Sequence, residues 1–129
     1  YGFTENKGII PIHYIFENTD PDLVFLEMDI FWTIGAGQNP EDLLNKYPNR
    51  YKLMHLKDMK EKLTFGGDGE NPQQWYKLFP NMTSCGNGIA DLKSIIETAR
   101  KVGVKHFYVE QDMAKNPEVV LQESFEYLS

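Results

Sequence analysis

Three stretches of the chain begin apolar and β-prone and end in side chains capable of ligand or acid–base chemistry. Val24-Phe25-Leu26-Glu27-Met28-Asp29 ends in an aspartate. Tyr51-Lys52-Leu53-Met54-His55-Leu56-Lys57-Asp58 ends in three polar groups, and His106-Phe107-Tyr108-Val109-Glu110 ends in a glutamate followed by Gln111 and Asp112. A loop and a helical pattern follow each, and strand-then-helix repetition predicts parallel strands. Parallel strands place their C-terminal ends on one side, so Asp29, His55 and Glu110 are predicted to share a rim although they are far apart in sequence.

The remaining pattern fills in the elements. Pro11 opens a helix with Ile12, Ile15 and Phe16 at helical spacing. Thr19-Asp20-Pro21-Asp22 breaks it before a strand at about 23–30 and a loop at 33–39. Asn39-Pro40-Glu41-Asp42 starts a short helix that buries Leu43, Leu44 and Tyr47, and Pro48-Asn49 ends it before a strand at 51–57. Residues 58–88 read as a long irregular segment with a helical turn around Trp75, Tyr76, Leu78 and Phe79; long loops after strands are more often functional than idle. A helix at 90–102 carries Leu92, Ile95, Ile96, Ala99 and Val102 on one face, with Gly103 as its cap. A strand at 105–110 and a helix from Asn116-Pro117-Glu118 through Val120, Leu121, Phe125 and Leu128 close the chain. Residues 1–129 are therefore expected to form one α/β domain. Three parallel strands leave two open edges, which predicts part of a larger sheet or barrel.

Charge and composition narrow the partners. The 129 residues carry a formal net charge of -6, which argues against nucleic acid and anionic membrane surfaces. No apolar run is long enough to span a membrane. One cysteine, Cys85, permits no intramolecular disulfide and leaves the compartment, cytoplasmic or periplasmic, undetermined. The chain opens Tyr1-Gly2-Phe3 without a methionine, and an upstream segment is expected to complete the fold. Asn81-Met82-Thr83 fits a glycosylation sequon, a triplet that arises often by chance.

Asp29, His55 and Glu110 offer oxygen, nitrogen and oxygen, a set that suits Mn²⁺, Mg²⁺, Co²⁺ or Zn²⁺ without choosing among them. The competing reading is that each caps a strand or a following helix. Lys57 lies two residues past His55, on the same face, and would hold a substrate oxygen or phosphate or else pair with Asp29, Asp58 or Glu110. Trp32 is either a platform for a sugar-like ligand or packing. His13 and His106 read as structural, Gly66-Gly67-Asp68-Gly69 is not a phosphate loop, and Cys85 has no adjacent base.

The ordered runs Asp29-Ile30-Phe31-Trp32, Tyr47-Pro48-Asn49-Arg50-Tyr51-Lys52-Leu53-Met54-His55-Leu56-Lys57-Asp58, Gly86-Asn87-Gly88-Ile89-Ala90-Asp91-Leu92, 99–112 and Ser124-Phe125-Glu126-Tyr127-Leu128 resemble the sugar phosphate isomerase/epimerase family of xylose isomerase-like TIM barrels. The resemblance covers nearly everything from residue 18 onward. It implies the C-terminal part of a (β/α)8 TIM barrel, about three βα units, with the active site at the C-terminal ends of the strands. It further implies a divalent metal held by Asp29, His55 and Glu110, Glu110 doubling as a catalytic acid/base, and Lys57 and Trp32 lining a substrate pocket. A fourth ligand, a glutamate on an earlier strand that would also be Glu110's catalytic partner, has no counterpart in this chain. Asn87 stands where relatives often carry glutamate.

The implied reaction is isomerisation or epimerisation of a sugar or keto-sugar by proton transfer through an enediolate. A lyase or hydratase on a 3-keto-glycoside would use the same site. A non-catalytic carbohydrate-binding or structural half-barrel is the reading from another class. Endonuclease-like cleavage on the same barrel would need a basic groove. In every case the open edges require a complementary half-barrel, from an upstream segment or a second copy.

Overall fold

A computed structural model describes residues 2–67 and 70–129. Asp68 and Gly69 of the Gly66–Gly69 run lie outside the described residues, so no reading of that run is tested. The chain is α/β, with a three-stranded parallel sheet in the order β1 (Leu26–Asp29), β2 (Tyr51–Leu56), β5 (His106–Val109). Helices α1 (Pro11–Glu17), α2 (Ile30–Gly35), α3 (Pro40–Lys46), α5 (Leu92–Lys101) and α6 (Pro117–Leu128) alternate with it. A parallel sheet in this α/β order is what an arc of a barrel presents.

The register decides which side chains meet. Asp29 pairs with His55 and His55 with Tyr108, so these three lie at one level on one face of the sheet. Glu110 sits one two-residue step higher, held by its N–H donating to the Leu56 carbonyl at 3.2 Å. Met28, Met54 and Leu56 point to the other face and are buried against helices. There they join Phe31, Leu44, Leu92, Ile95 and Ala99 in the core. The predicted apolar face of α5 is therefore the buried one, with Ile96 and Val102 packed at its margin.

Two boundaries differ most from expectation. The first strand begins only at Leu26, because ladder pairing starts with its N–H donating to the Arg50 carbonyl at 2.8 Å. Leu23 and Phe25 are consequently exposed. The predicted loop at 33–39 is shortened by α2, which starts directly after Asp29. The Asp29 carboxylate caps that helix, accepting from the Trp32 N–H at 3.0 Å.

The segment read as irregular contains order of its own. β3 (Asp58–Met59) pairs antiparallel with β4 (Met82–Thr83), and the expected helical turn appears as α4 (Gln73–Tyr76). The sequon residue Asn81 is buried and donates to the Glu61 carbonyl at 2.7 Å.

Asp58 is the organiser of this region rather than a member of the rim. It is 1% exposed and accepts four backbone N–H groups, from Met59, Gly86, Gly88 and Ala90, at 2.8–3.1 Å. Strand alternation turns it away from Lys57, with which it forms no pair. The approach is so close that a Cβ on Gly88 would lie 2.3 Å from Asp58 Oδ1 and 2.4 Å from the Met59 carbonyl.

Asp58→Ala would leave these donors without an acceptor. The expected loss is about 3 kcal/mol of stability. Urea unfolding of the variant beside the parent chain measures it, and a midpoint unchanged from the parent would contradict the assignment.

Candidate functional site

Asp29, His55 and Glu110 meet as expected. Ligand-capable atoms of these three side chains all lie within 4.8 Å of one another, the one such grouping found among the described residues. His55 Nδ1 stands 2.9 Å from Glu110 Oε2 and 3.5 Å from Asp29 Oδ2. Asp29 is a helix cap, as one of the two readings had it, and also a member of the cluster. Oδ1 caps α2, while Oδ2 turns into the cluster.

Lys57 is the cation of this cluster. Its ammonium lies 2.8 Å from Asp112, 2.9 Å from Asp29 and 3.3 Å from Glu110, and the side chain is 4% exposed. Burial by itself lowers its pKa. The hydrogen bond to Asp112 and the charge of Asp29 outweigh that, so the value rises above the ordinary 10.5.

The donor set fits a divalent cation. Two carboxylates and an imidazole converge, and Glu110 Oε2 is buried without a hydrogen bond of proper geometry although His55 Nδ1 lies 2.9 Å and Lys57 Nζ 3.3 Å away. An orphaned, buried carboxylate oxygen facing a nitrogen lone pair is the chemistry of an oxygen- and nitrogen-liganded ion.

A cavity of about 630 Å³ opens beside the cluster. Asp29, His55, Lys57 and Glu110 belong to its polar lining. Its aromatic lining includes Trp32 from α2, and Phe65, Trp75 and Phe79 from the segment after β2. Trp32 meets Trp75 and Phe79 nearly at right angles, with centroids 6.1 and 5.5 Å apart. It therefore both packs and lines the cavity.

Two carboxylates went unassigned in the sequence. Glu27 places Oε1 3.2 Å from His55 Nε2, and Asp112 binds Lys57. Period-2 alternation back from Asp29 and forward from Glu110 was the available signal. Other residues fall elsewhere. His13 Nδ1 lies 2.6 Å from the Tyr47 hydroxyl, and His106 pairs with Leu53 below the rim. Asn87 donates to Glu123 and is not among the residues lining the cavity. Cys85 is buried, and desolvation pushes its thiol pKa up, which keeps it protonated and inert.

No protein-family model matches the chain. It is similar to inosose dehydratases: 31% identical over 112 residues to that of Lacticaseibacillus casei, covering 77% of this chain and 35% of that protein. The inosose dehydratase of Bacillus cereus is 29% identical over 121 residues, covering 90% and 38%, and that of Clostridium beijerinckii 43% over 56 residues, covering 36% and 19%. Among solved structures it resembles a sugar phosphate isomerase/epimerase from Parabacteroides distasonis, with TM-score 0.69 and 26% identity over 96% of this chain and 37% of that one. A second structure of the same description and organism gives TM-score 0.64 at 21% identity. The chain thus spans little more than a third of these longest-matching proteins.

Lys57→Met would leave Asp29, Asp112 and Glu110 without their shared ammonium. The carboxylates are partly solvated, so the expected cost is about 2 kcal/mol, below that of breaking a fully buried pair. Because the folded pKa is raised, the Lys57 contribution is complete below the ordinary 10.5 and is lost as pH rises through the folded value. Urea midpoints should therefore differ between parent and variant by the same amount at neutral and mildly alkaline pH, and converge only at strongly alkaline pH.

Proposed function

The chain belongs to the sugar phosphate isomerase/epimerase family of xylose isomerase-like TIM barrels, its partial coverage fitting the C-terminal half, and from that premise we propose that its rim is the divalent-metal half of a site that moves a proton on a sugar or keto-sugar. The observation that carries this reading is the convergence of Asp29, His55 and Glu110 beside a cavity of about 630 Å³. Asp29, His55 and Glu110 would hold the ion. When bound, the ion supplies Lewis-acid stabilisation of the negative charge that develops on a substrate carbonyl as its α-proton leaves.

The residues of the chain do the rest. Glu110 is the acid/base group: it lines the cavity with its side chain 39% exposed, and it accepts the proton from a carbon next to the carbonyl, giving an enediolate. Lys57 neutralises Asp29 and Glu110 and keeps three carboxylates compatible at one place. Its ammonium, bound on three sides, serves the site more as a structural cation than as a phosphate anchor. Trp32, with Trp75 and Phe79, offers an apolar wall on which the C–H face of a sugar ring packs and which excludes water.

Two outcomes share this first step. In isomerisation or epimerisation the proton returns to the neighbouring carbon or to the opposite face. In dehydration the electron pair of the broken C–H bond expels a β-hydroxyl, which leaves with a proton as water. The similarity to inosose dehydratases favours the second outcome, and the similarity to the Parabacteroides structures the first. Both need a second acid/base group. In this reading it comes from strands that complete the barrel against the open edges of β1 and β5, supplied by an upstream segment or a second copy. Leu121 and Phe125 of α6, 53% and 69% exposed, supply apolar surface for that completion.

Deuterium uptake from D₂O tests the proposal. A keto-sugar incubated with Mn²⁺ and a protein carrying this chain should exchange the proton next to its carbonyl, read by proton NMR. Glu110→Gln should slow exchange about 10³-fold with folding retained. Exchange at the same rate in that variant would refute the role of Glu110. Binding of sugar without any exchange would leave the non-catalytic reading. In native mass spectra His55→Ala should retain no Mn²⁺ while its circular dichroism matches the parent; retention of the ion would remove His55 from the ligand set.

A further inference from the structure

We infer that Glu27 is a positioning residue of this site, a carboxylate that receives the His55 Nε2–H and so keeps the Nδ1 lone pair turned toward Asp29 and Glu110. The inference rests on the reading of His55 as a metal ligand and adds a residue to it.

The geometry is specific. Glu27 lies two residues before Asp29 on β1 and on the same face of the strand, so β1 presents two carboxylates to the one imidazole of β2. They reach opposite sides of the ring. Glu27 Oε1 is 3.2 Å from Nε2, whereas Asp29 Oδ2 and Glu110 Oε2 are 3.5 and 2.9 Å from Nδ1. The two ring nitrogens point away from each other, so one histidine serves one ion through one of them. Only Nδ1 faces the carboxylate cluster, and Glu27 stands on the far side of the ring from any ion bound there. That position rules it out as a ligand sharing an ion with Nδ1 and makes it the partner of the non-ligating nitrogen. Lys57, which binds Asp29, Glu110 and Asp112, leaves Glu27 to His55.

The chemical consequence concerns where the ring proton sits. A neutral imidazole has one N–H and one lone pair. Two carboxylates face Nδ1, and without an acceptor at Nε2 they draw the proton to Nδ1, where it blocks the ligand lone pair. Glu27 supplies the counterweight at Nε2. It also fixes the ring plane, as the outer hydrogen-bond partners of metal-bound histidines do. The Nε2 side remains partly solvated, with His55 30% and Glu27 37% exposed, so the effect is on orientation and tautomer more than on stability.

Two readouts test this, neither of them turnover. The first is the tautomer of His55 in the metal-free chain at alkaline pH, from long-range ¹H–¹⁵N correlations of the ring. The second is Mn²⁺ binding by calorimetry. The parent should carry a larger fraction of its proton on Nε2 than the variants do. Glu27→Ala should shift a measurable fraction to Nδ1 and weaken Mn²⁺ binding about 10- to 100-fold. Glu27→Gln, isosteric and able to accept through its amide oxygen, should fall between the two and serves where the alanine variant folds poorly. Both variants unchanged in tautomer and within twofold of the parent in affinity would overturn the inference, and the metal site would stand without it. A parent chain, or the longer protein that carries it, that takes up no Mn²⁺ would overturn the metal reading itself and this inference with it.

Discussion

One buried ammonium governs the rim. Lys57 sits among carboxylates drawn from two segments of chain, Asp29 from the end of β1 and Glu110 and Asp112 from beyond β5. Without a cation at that point, three negative groups gathered around one position would repel one another and splay the strand ends. The raised pKa of Lys57 expresses the same fact from the lysine's side: its partners more than recover the cost of taking its charge out of water. The neighbouring histidine then stands in a field of fixed negative charge, with carboxylates on both ring edges.

Consecutive residues divide the labour of building this place. His55 and Lys57 face the cavity, while Leu56 and Asp58 face the opposite way. Leu56 packs into the core. Asp58 gathers the N–H groups of Gly86, Gly88 and Ala90 and pins the turn that leads into α5. Four consecutive residues of β2 and its extension thus anchor a site on one face and a loop on the other, and the strand's period of two is the whole reason. Asp29 divides its labour within a single side chain, one oxygen on the Trp32 N–H of α2 and the other in the cluster.

Chemically, the site combines acidic and aromatic lining. The acidic and imidazole groups offer the oxygen and nitrogen donors that hard or borderline cations take. Proton removal next to a carbonyl is common to isomerases and dehydratases of keto-sugars, so similarity to proteins of both names is chemically coherent: they diverge only in what the electron pair of the broken C–H bond does next.

Local pattern by itself determined the three strand-to-helix units, the rim shared by Asp29, His55 and Glu110, the shared face of His55 and Lys57, and the buried face of α5. Each follows from a short-range period or a cap that neighbouring residues specify. Tertiary structure decided what depends on contacts across the chain. It chose among the partners open to Lys57, passing over Asp58 for Asp112. It turned Asp58 from an apparent rim residue into a hub for backbone N–H groups brought back some 30 positions later, and paired β3 with β4 inside a segment that carries no strand signal. It brought Phe65, Trp75 and Phe79 over the cavity and Glu27 against His55. Those outcomes were not legible in advance because a carboxylate or an indole has no intrinsic partner; which one it meets is fixed only when distant strands come into register.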